Sequence, residues 1–305
     1  MPKTIRHEAY LVLGAFFFAL NSVPAKLVME GGLSAWHLTQ IRTSGAFLLM
    51  FIYVFIRNRN GLRITKKELP TLIAFGVIGF AMVNALYFMA ISRLNVSIAL
   101  IIEFTAPIWI VLWMRVIKKR DVSKLMWWGL SIGFTGLLLV GQVWRGLTLD
   151  GLGLIYAFVD AFALALYFVL GERLVKEKGS EVTMAWGFGI SSLFFALILP
   201  WWSFPFDVLG KSVELSGRFA GNSLPSWLLV IWVIIGGTAL PYFLVFTGLK
   251  GLSAATSSVI GMLEPVFGGI LAWFFLFEKL TFTQFIGGCV VLVGIYLADR
   301  ARTSV

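Results

Sequence analysis

Six side chains with ionic or strongly polar chemistry stand inside runs that are otherwise apolar: Lys26, Arg42, Asn84, Glu103, Asp160 and Glu264. In hydrocarbon each costs free energy unless it is paired, hydrogen-bonded or wetted, so each marks a buried structural network or a pathway. Their types suit a small zwitterion. Glu103 and Glu264 offer carboxylates to an ammonium group, and Arg42, Lys26 or Asn84 offer a cation or amide donors to a carboxylate. Tyr87, Trp109, Tyr242, Phe243 and Phe267 could wall such a site, although in a chain that is 15% aromatic such residues also serve as packing or lipid-facing groups. A carboxyl group held away from water can keep a proton at neutral pH, which makes Glu103, Asp160 and Glu264 candidates for proton coupling. Facilitated efflux without a coupling ion fits the same residues. So does a neutral network in which Glu103 pairs with Arg42 or Lys26, the latter close enough to a helix end to snorkel.

Prolines single out the backbone beside these residues. Pro107 removes the amide that would bond the carbonyl of Glu103, and Pro265 does the same to Gly261. Pro241 frees the carbonyl of Gly237, and Pro24 that of Leu20. Irregular backbone at membrane depth must face protein or water, so the matched breaks at Pro107 and Pro265 point to a cavity. Pro24 reads as a packing kink.

The elements that position these residues follow from composition. Hydrophobic residues make up 59% of the 305 and charged residues 13%, against roughly 45–50% and about 25% in soluble domains. About 20 mostly apolar residues cross a bilayer, and ten such stretches are present: 8–29, 34–57, 69–91, 95–118, 124–143, 150–173, 181–206, 224–248, 252–277 and 281–299. Strands would show short alternating segments, so the fold class is all-α integral membrane. The first stretch follows Lys3 and Arg6, but Asn21, Pro24 and Lys26 interrupt it and it reads as a retained span. At about 1.5 Å per residue, Lys26, Arg42, Asn84 and Glu103 fall in the half of the membrane away from the N-terminus, and Asp160 and Glu264 near the midplane.

Of the 25 Lys and Arg, Lys26 and Arg42 lie within spans. Arg93, Arg145, Lys211, Arg218 and Lys279 flank one side, and the remaining eighteen flank the side of the N-terminus. That bias places both termini in the cytoplasm, with a plasma (inner) membrane location and a lipid bilayer as partner. The +10 net charge is thus a topology signal. No basic, aromatic face for nucleic acid exists.

The chain also repeats itself. A shift of 158 positions lays Leu86, Phe88, Leu94, Ile102, Pro107, Gly129 and Gly136 on Leu244, Phe246, Leu252, Ile260, Pro265, Gly287 and Gly294 without a gap. Two repeats, 1–147 and 148–305, each hold five spans. Five is odd, so the second enters the membrane from the opposite side. Accordingly Lys118-Lys119-Arg120 ends the fourth span, whereas its counterpart is Leu276-Phe277-Glu278. Inverted repeats let one sequence plan supply inward-open and outward-open states.

Other classes fit poorly. His7 and His37 are the only histidines and Cys289 the only cysteine, which leaves an enzyme without clustered ligands or nucleophiles. No metal, cofactor or obligate protein partner is implied. Gly129, Gly133 and Gly136 form a packing face in place of a phosphate cradle, so ATP is not the direct driver. No filter-like pattern of a channel is evident. Trp127, Trp128, Trp201 and Trp202 sit where interfacial belts occur.

Asn84-Ala85-Leu86-Tyr87-Phe88-Met89-Ala90 through Pro107, then Glu264-Pro265, Glu278, Gln284, Gly287 and Gly294, resemble the EamA family of the drug/metabolite transporter superfamily, over essentially 8–299. Lys26 and Arg42 also sit where that family often carries basic residues. The resemblance implies ten helices in inverted five-helix repeats around a cavity lined mainly by spans three, four, eight and nine. Glu103-Phe104-Thr105-Ala106-Pro107, Thr238-Ala239-Leu240-Pro241-Tyr242 and Met262-Leu263-Glu264-Pro265 are similar to the threonine/homoserine exporter branch, with Ala106 where glycine is expected. That likeness implies export of small amino acids. A drug or another metabolite, carried by facilitation or exchange, is the alternative.

Overall fold

The computed structural model describes residues 3–94, 96–142, 144, 150–277 and 281–302. Arg145, Glu278, Lys279 and Leu280 lie outside them. Ten helices are long and apolar enough to cross a membrane: α1 (Arg6–Glu30), α2 (Ala35–Arg57), α3 (Leu69–Ile91), α4 (Ile98–Val116), α5 (Lys124–Gly141), α6 (Gly151–Lys178), α7 (Ser180–Ile198), α8 (Ser226–Leu249), α9 (Ala254–Phe275) and α10 (Phe282–Ala301). Side-chain caps start several of them. Ser34 accepts from the amide of His37, Ser123 from Met126, Asp150 from Gly153 and Ser253 from Thr256, each meeting an amide the first turn leaves unpaired. Successive spans cross in opposite directions, so with ten of them both ends of the chain share one face, here the terminal face.

The helices pack as two inverted sets. α1 lies against α8 and α9, and their repeat counterparts reproduce this as α6 against α3 and α4; α2 pairs with its own counterpart α7, and α5 with α10. Contacts at a two-fold axis must be reciprocal, and the α5–α10 seam is. A methyl group on Gly129 would lie 2.9 Å from the carbonyl oxygen of Gly294, and one on Gly136 would lie 2.8 Å from that of Gly287. Because Gly287 and Gly294 are the respective counterparts of Gly129 and Gly136, each glycine touches the other's mate, which requires antiparallel helices. Small residues let these backbones approach closely.

Both prolines break their helices as expected. The helical stretch Val96–Glu103 ends before Ala106–Val116 begins, and Ala254–Gly261 is followed by Leu263–Leu276. Pro24 is carried within an unbroken helix. Two further irregularities correspond through the repeat: α3 is π-helical over Phe75–Met82 and α8 over Ile235–Ala239. The turns that follow α4 and α9 agree as well, since the counterparts Lys119 and Phe277 both adopt left-handed backbone, with φ of 50° and 57°.

The seventh span is shorter than its apolar run. It stops at Ile198 rather than near 206, because Pro200 and Pro205 supply no amide to continue it. The chain then makes two 3-10 turns and a hairpin of β1 (Ser212–Glu214) with β2 (Ser223–Pro225), paired antiparallel. This excursion sits on the face opposite the termini. Arg218 donates to the carbonyl of Phe274 at the end of α9 and covers the rings of Phe274 and Phe277.

Candidate functional site

A cavity of about 990 Å³ lies between the two sets of helices. Its lining begins at the face opposite the termini, with Glu30, Ser34, Ser92 and Ser216, and descends to Tyr167 and Ser257. Below, toward the terminal face, aromatic rings close it. Phe80 stacks on Tyr242 at 4.9 Å and meets Phe188 edge-on at 4.6 Å, while Phe75, Tyr167 and Phe246 complete the cluster. Phe75, Phe80, Phe188 and Phe246 are fully buried. Edge and offset-stacked contacts of this kind add to plain burial. The conformation is therefore open to one face and plugged toward the other.

Among the described residues, Arg42 is the one cation buried in this cavity. Its position follows from two irregularities in α8. Pro241 has no amide to give Gly237, and the Gly237 carbonyl instead accepts from Arg42 Nη2 at 3.1 Å. Arg42 Nε donates to Thr238 Oγ1 at 2.9 Å, and that hydroxyl donates to the Val233 carbonyl at 2.6 Å. The ring of Phe88 lies 5.8 Å from the guanidinium. Two of five guanidinium N–H groups are thus engaged, leaving three for an anionic ligand.

Facing it are carboxylates without partners. Glu103 and Glu264 line the cavity, half-buried. Neither has a hydrogen bond or ion pair among the described residues, although Glu264 lies within electrostatic range of both Arg42 and Glu103. Neither Arg42 nor Lys26 pairs with Glu103, so the neutral network open to the sequence is not formed. Lys26 instead stands at the rim, 69% exposed and 3.8 Å from Glu30. Asp160 is 1% exposed, both carboxyl oxygens lack a hydrogen-bond partner, and it sits behind the lining within electrostatic range of Glu103.

Asn84 and Tyr242 meet on the axis itself. They are repeat counterparts, 158 positions apart, and Asn84 Nδ2 donates to Tyr242 Oη at 3.0 Å and to the Phe80 carbonyl at 2.7 Å. Tyr87 lines the cavity above them, and Pro265 lines it beside Glu264. Pro107 is buried away from the lining and acts through the break it imposes. Trp109 turns outward onto Phe158 and Phe162, and Phe267 packs on Phe16, so neither forms the expected wall. Of α1 the sequence reading named Lys26 alone for the site, whereas α1 also contributes Asn21 and much of one side. Its small residues (Ala15, Ala19) carried no chemistry to notice.

Ten apolar helices around a cavity lined by Arg42, Glu103 and Glu264, open to one face and arranged as inverted repeats, define a multi-pass membrane transporter. The profile of the EamA-like transporter family matches residues 6–142 and again 151–298, and the chain belongs to that family. An uncharacterized transporter of Archaeoglobus fulgidus is 27% identical over 294 residues, 96% of each chain. The threonine/homoserine exporter RhtA of Escherichia coli is 29% identical over 224 residues, 72% of this chain and 68% of the exporter. The uncharacterized inner membrane transporter YicL of Salmonella typhimurium is 22% identical over the full length of both. A solved crystal structure aligns over 98% of this chain and 97% of its own with a TM-score of 0.74 at 18% identity, a likeness of fold.

Proposed function

We propose that this transporter exports amino acids across the inner membrane by alternating access between repeats 1–147 and 148–305, with both termini cytoplasmic. The observation that carries this reading is the charge layout of the cavity: one buried guanidinium with free N–H groups opposite two unpartnered carboxylates. A zwitterion satisfies both at once. Its carboxylate takes Arg42 bidentately, and its ammonium takes Glu264 or Glu103. The resemblance to the named threonine/homoserine exporters supports the substrate class, and the excess of basic residues at the terminal face supports the orientation. On this reading the cavity opens to the outside, poised for release.

The carboxylates supply a coupling scheme. In this scheme a carboxylate takes a proton when substrate leaves, and the next ammonium displaces it on the cytoplasmic side. One substrate then moves out as one proton moves in, with Glu264 and Glu103 as carriers and Asp160 behind them. The test is transport of radiolabelled amino acids in proteoliposomes with and without an imposed pH gradient. Gradient-driven flux that is lost in Glu264→Gln, with exchange retained, supports the scheme; unchanged gradient-driven flux removes Glu264 from it.

One observation favours a second reading. At about 990 Å³ the cavity stands at the upper end of sites that hold drug-sized ligands, roughly 300–1,000 Å³. A larger metabolite or drug carried by exchange would fill it better, and the same liposomes separate the two by whether amino acids compete.

A further inference from the structure

We infer that Thr238 and the bare carbonyl of Gly237 form a cradle that sets substrate specificity by fixing the guanidinium of Arg42 for a carboxylate. The inference rests on the reading that the substrate carries one. Arg42 comes from α2 and its cradle from α8, so the contact joins the two repeats across the cavity. Every part of the cradle is constrained. The π-helical stretch Ile235–Ala239 lets the Thr238 hydroxyl reach the carbonyl of Val233, five residues back, at 2.6 Å. That bond uses the hydroxyl's one hydrogen, so its lone pairs are turned to accept from Arg42 Nε. Pro241 leaves Gly237 its carbonyl, which takes Nη2. Asn21 of α1 presses against Gly237 where any side chain would lie, which fixes that peptide. Arg42, Thr238 and Gly237 are all buried.

A guanidinium tied at Nε and one Nη–H has little freedom to turn. Its remaining three N–H groups present the fork that fits a carboxylate bidentately, geometry that a freely rotating cation does not offer. Thr238 is therefore a positioning residue: it acts on the substrate through Arg42. It should govern recognition of the carboxylate and leave recognition of the ammonium alone.

Counterflow in proteoliposomes, with L-threonine and its amino alcohol L-threoninol as probes, tests this. Wild type should take up threonine in strong preference to threoninol, which lacks the carboxylate. In Thr238→Val, KM for threonine should rise about tenfold, the scale of one hydrogen bond to a charged group. The maximal rate and the weak competition by threoninol should stay as they were. Thr238→Ser, which keeps the hydroxyl, should restore the threonine KM. If Thr238→Val elutes and melts as wild type yet keeps the wild-type preference, the cradle does not set specificity. Equal losses for both probes, or no rescue by Thr238→Ser, would reduce Thr238 to a structural role and overturn the inference. A wild type that fails to distinguish the two probes, or takes up neither, instead overturns the amino acid reading beneath it.

Discussion

Arg42 shows how backbone defects become chemistry. A regular helix has no spare backbone acceptor for a buried cation, but in α8 Pro241 leaves the Gly237 carbonyl free and the Thr238 hydroxyl, donating to Val233 in a π-helical stretch, offers its lone pairs. Lysine at position 42 keeps the charge but cannot bond Thr238 and Gly237 while offering a fork. Arg42→Lys is therefore expected to raise KM for amino acids by about tenfold or more with little change in melting temperature, measured by uptake and thermal unfolding in detergent. Tyr242→Phe removes the acceptor of Asn84, which still donates to Phe80. The expected cost is about 1 kcal/mol of stability, read by denaturation, with flux retained. Glu68 lies outside the membrane and bonds Lys178 at 2.8 Å and the amide of Thr65. Those contacts lower its pKa from 4.5 to about 2. A lowered carboxylate pKa means that the tie stabilises the closed terminal face above about pH 4.5 and is lost as pH falls toward 2. Between pH 5 and 8 Glu68 stays charged, so any pH dependence of transport there is expected to be the same in Glu68→Gln and wild type.

At the scale of the helices, the glycine seam between α5 and α10 leaves no room for a side chain. A methyl group on Gly136 would fall 2.6 Å from the amide nitrogen of Val291, and one on Gly129 2.7 Å from that of Ala298. Gly136→Val should cost about 1–3 kcal/mol through overpacking, checked by thermal unfolding of the purified protein. The seam was legible in the sequence as Gly129 and Gly136 above Gly287 and Gly294, as were all ten spans and both proline breaks, because apolar runs and missing amides are local properties. Other features depended on distant partners. Among 28 phenylalanines nothing marks Phe75, Phe80, Phe188 and Phe246 as the plug, since only the fold brings them to Tyr242. The π-helical stretches have no residue signature, and the hydrogen bond between Asn84 and Tyr242 joins unlike residues that merely share a repeat position. Of the site residues, Arg42, Glu103 and Glu264 stood out because their burial in hydrocarbon is costly. Lys26 stood out for the same reason and lines the cavity at its rim, with Glu30 one turn on.

For the whole molecule, reciprocity is the organising property. Asn84 meets Tyr242 at the axis, Gly129 and Gly136 meet each other's mates, and α1 relates to α8 and α9 as α6 does to α3 and α4. On the proposed alternating-access reading, such a scaffold supplies a second arrangement, with the plug transferred to the other face. On the proposed orientation, a cysteine replacing Ser216 at the rim should react with an impermeant maleimide added to intact cells. One replacing Lys250, at the terminal face, should react only after permeabilisation. The central claim, that amino acid zwitterions pass through this cavity by alternating access, is tested most directly by counterflow across a panel of radiolabelled amino acids in proteoliposomes preloaded with the unlabelled compound. Transient accumulation of at least one amino acid, abolished in Arg42→Gln, is the predicted result; accumulation of none, or the same accumulation in Arg42→Gln as in wild type, would contradict it.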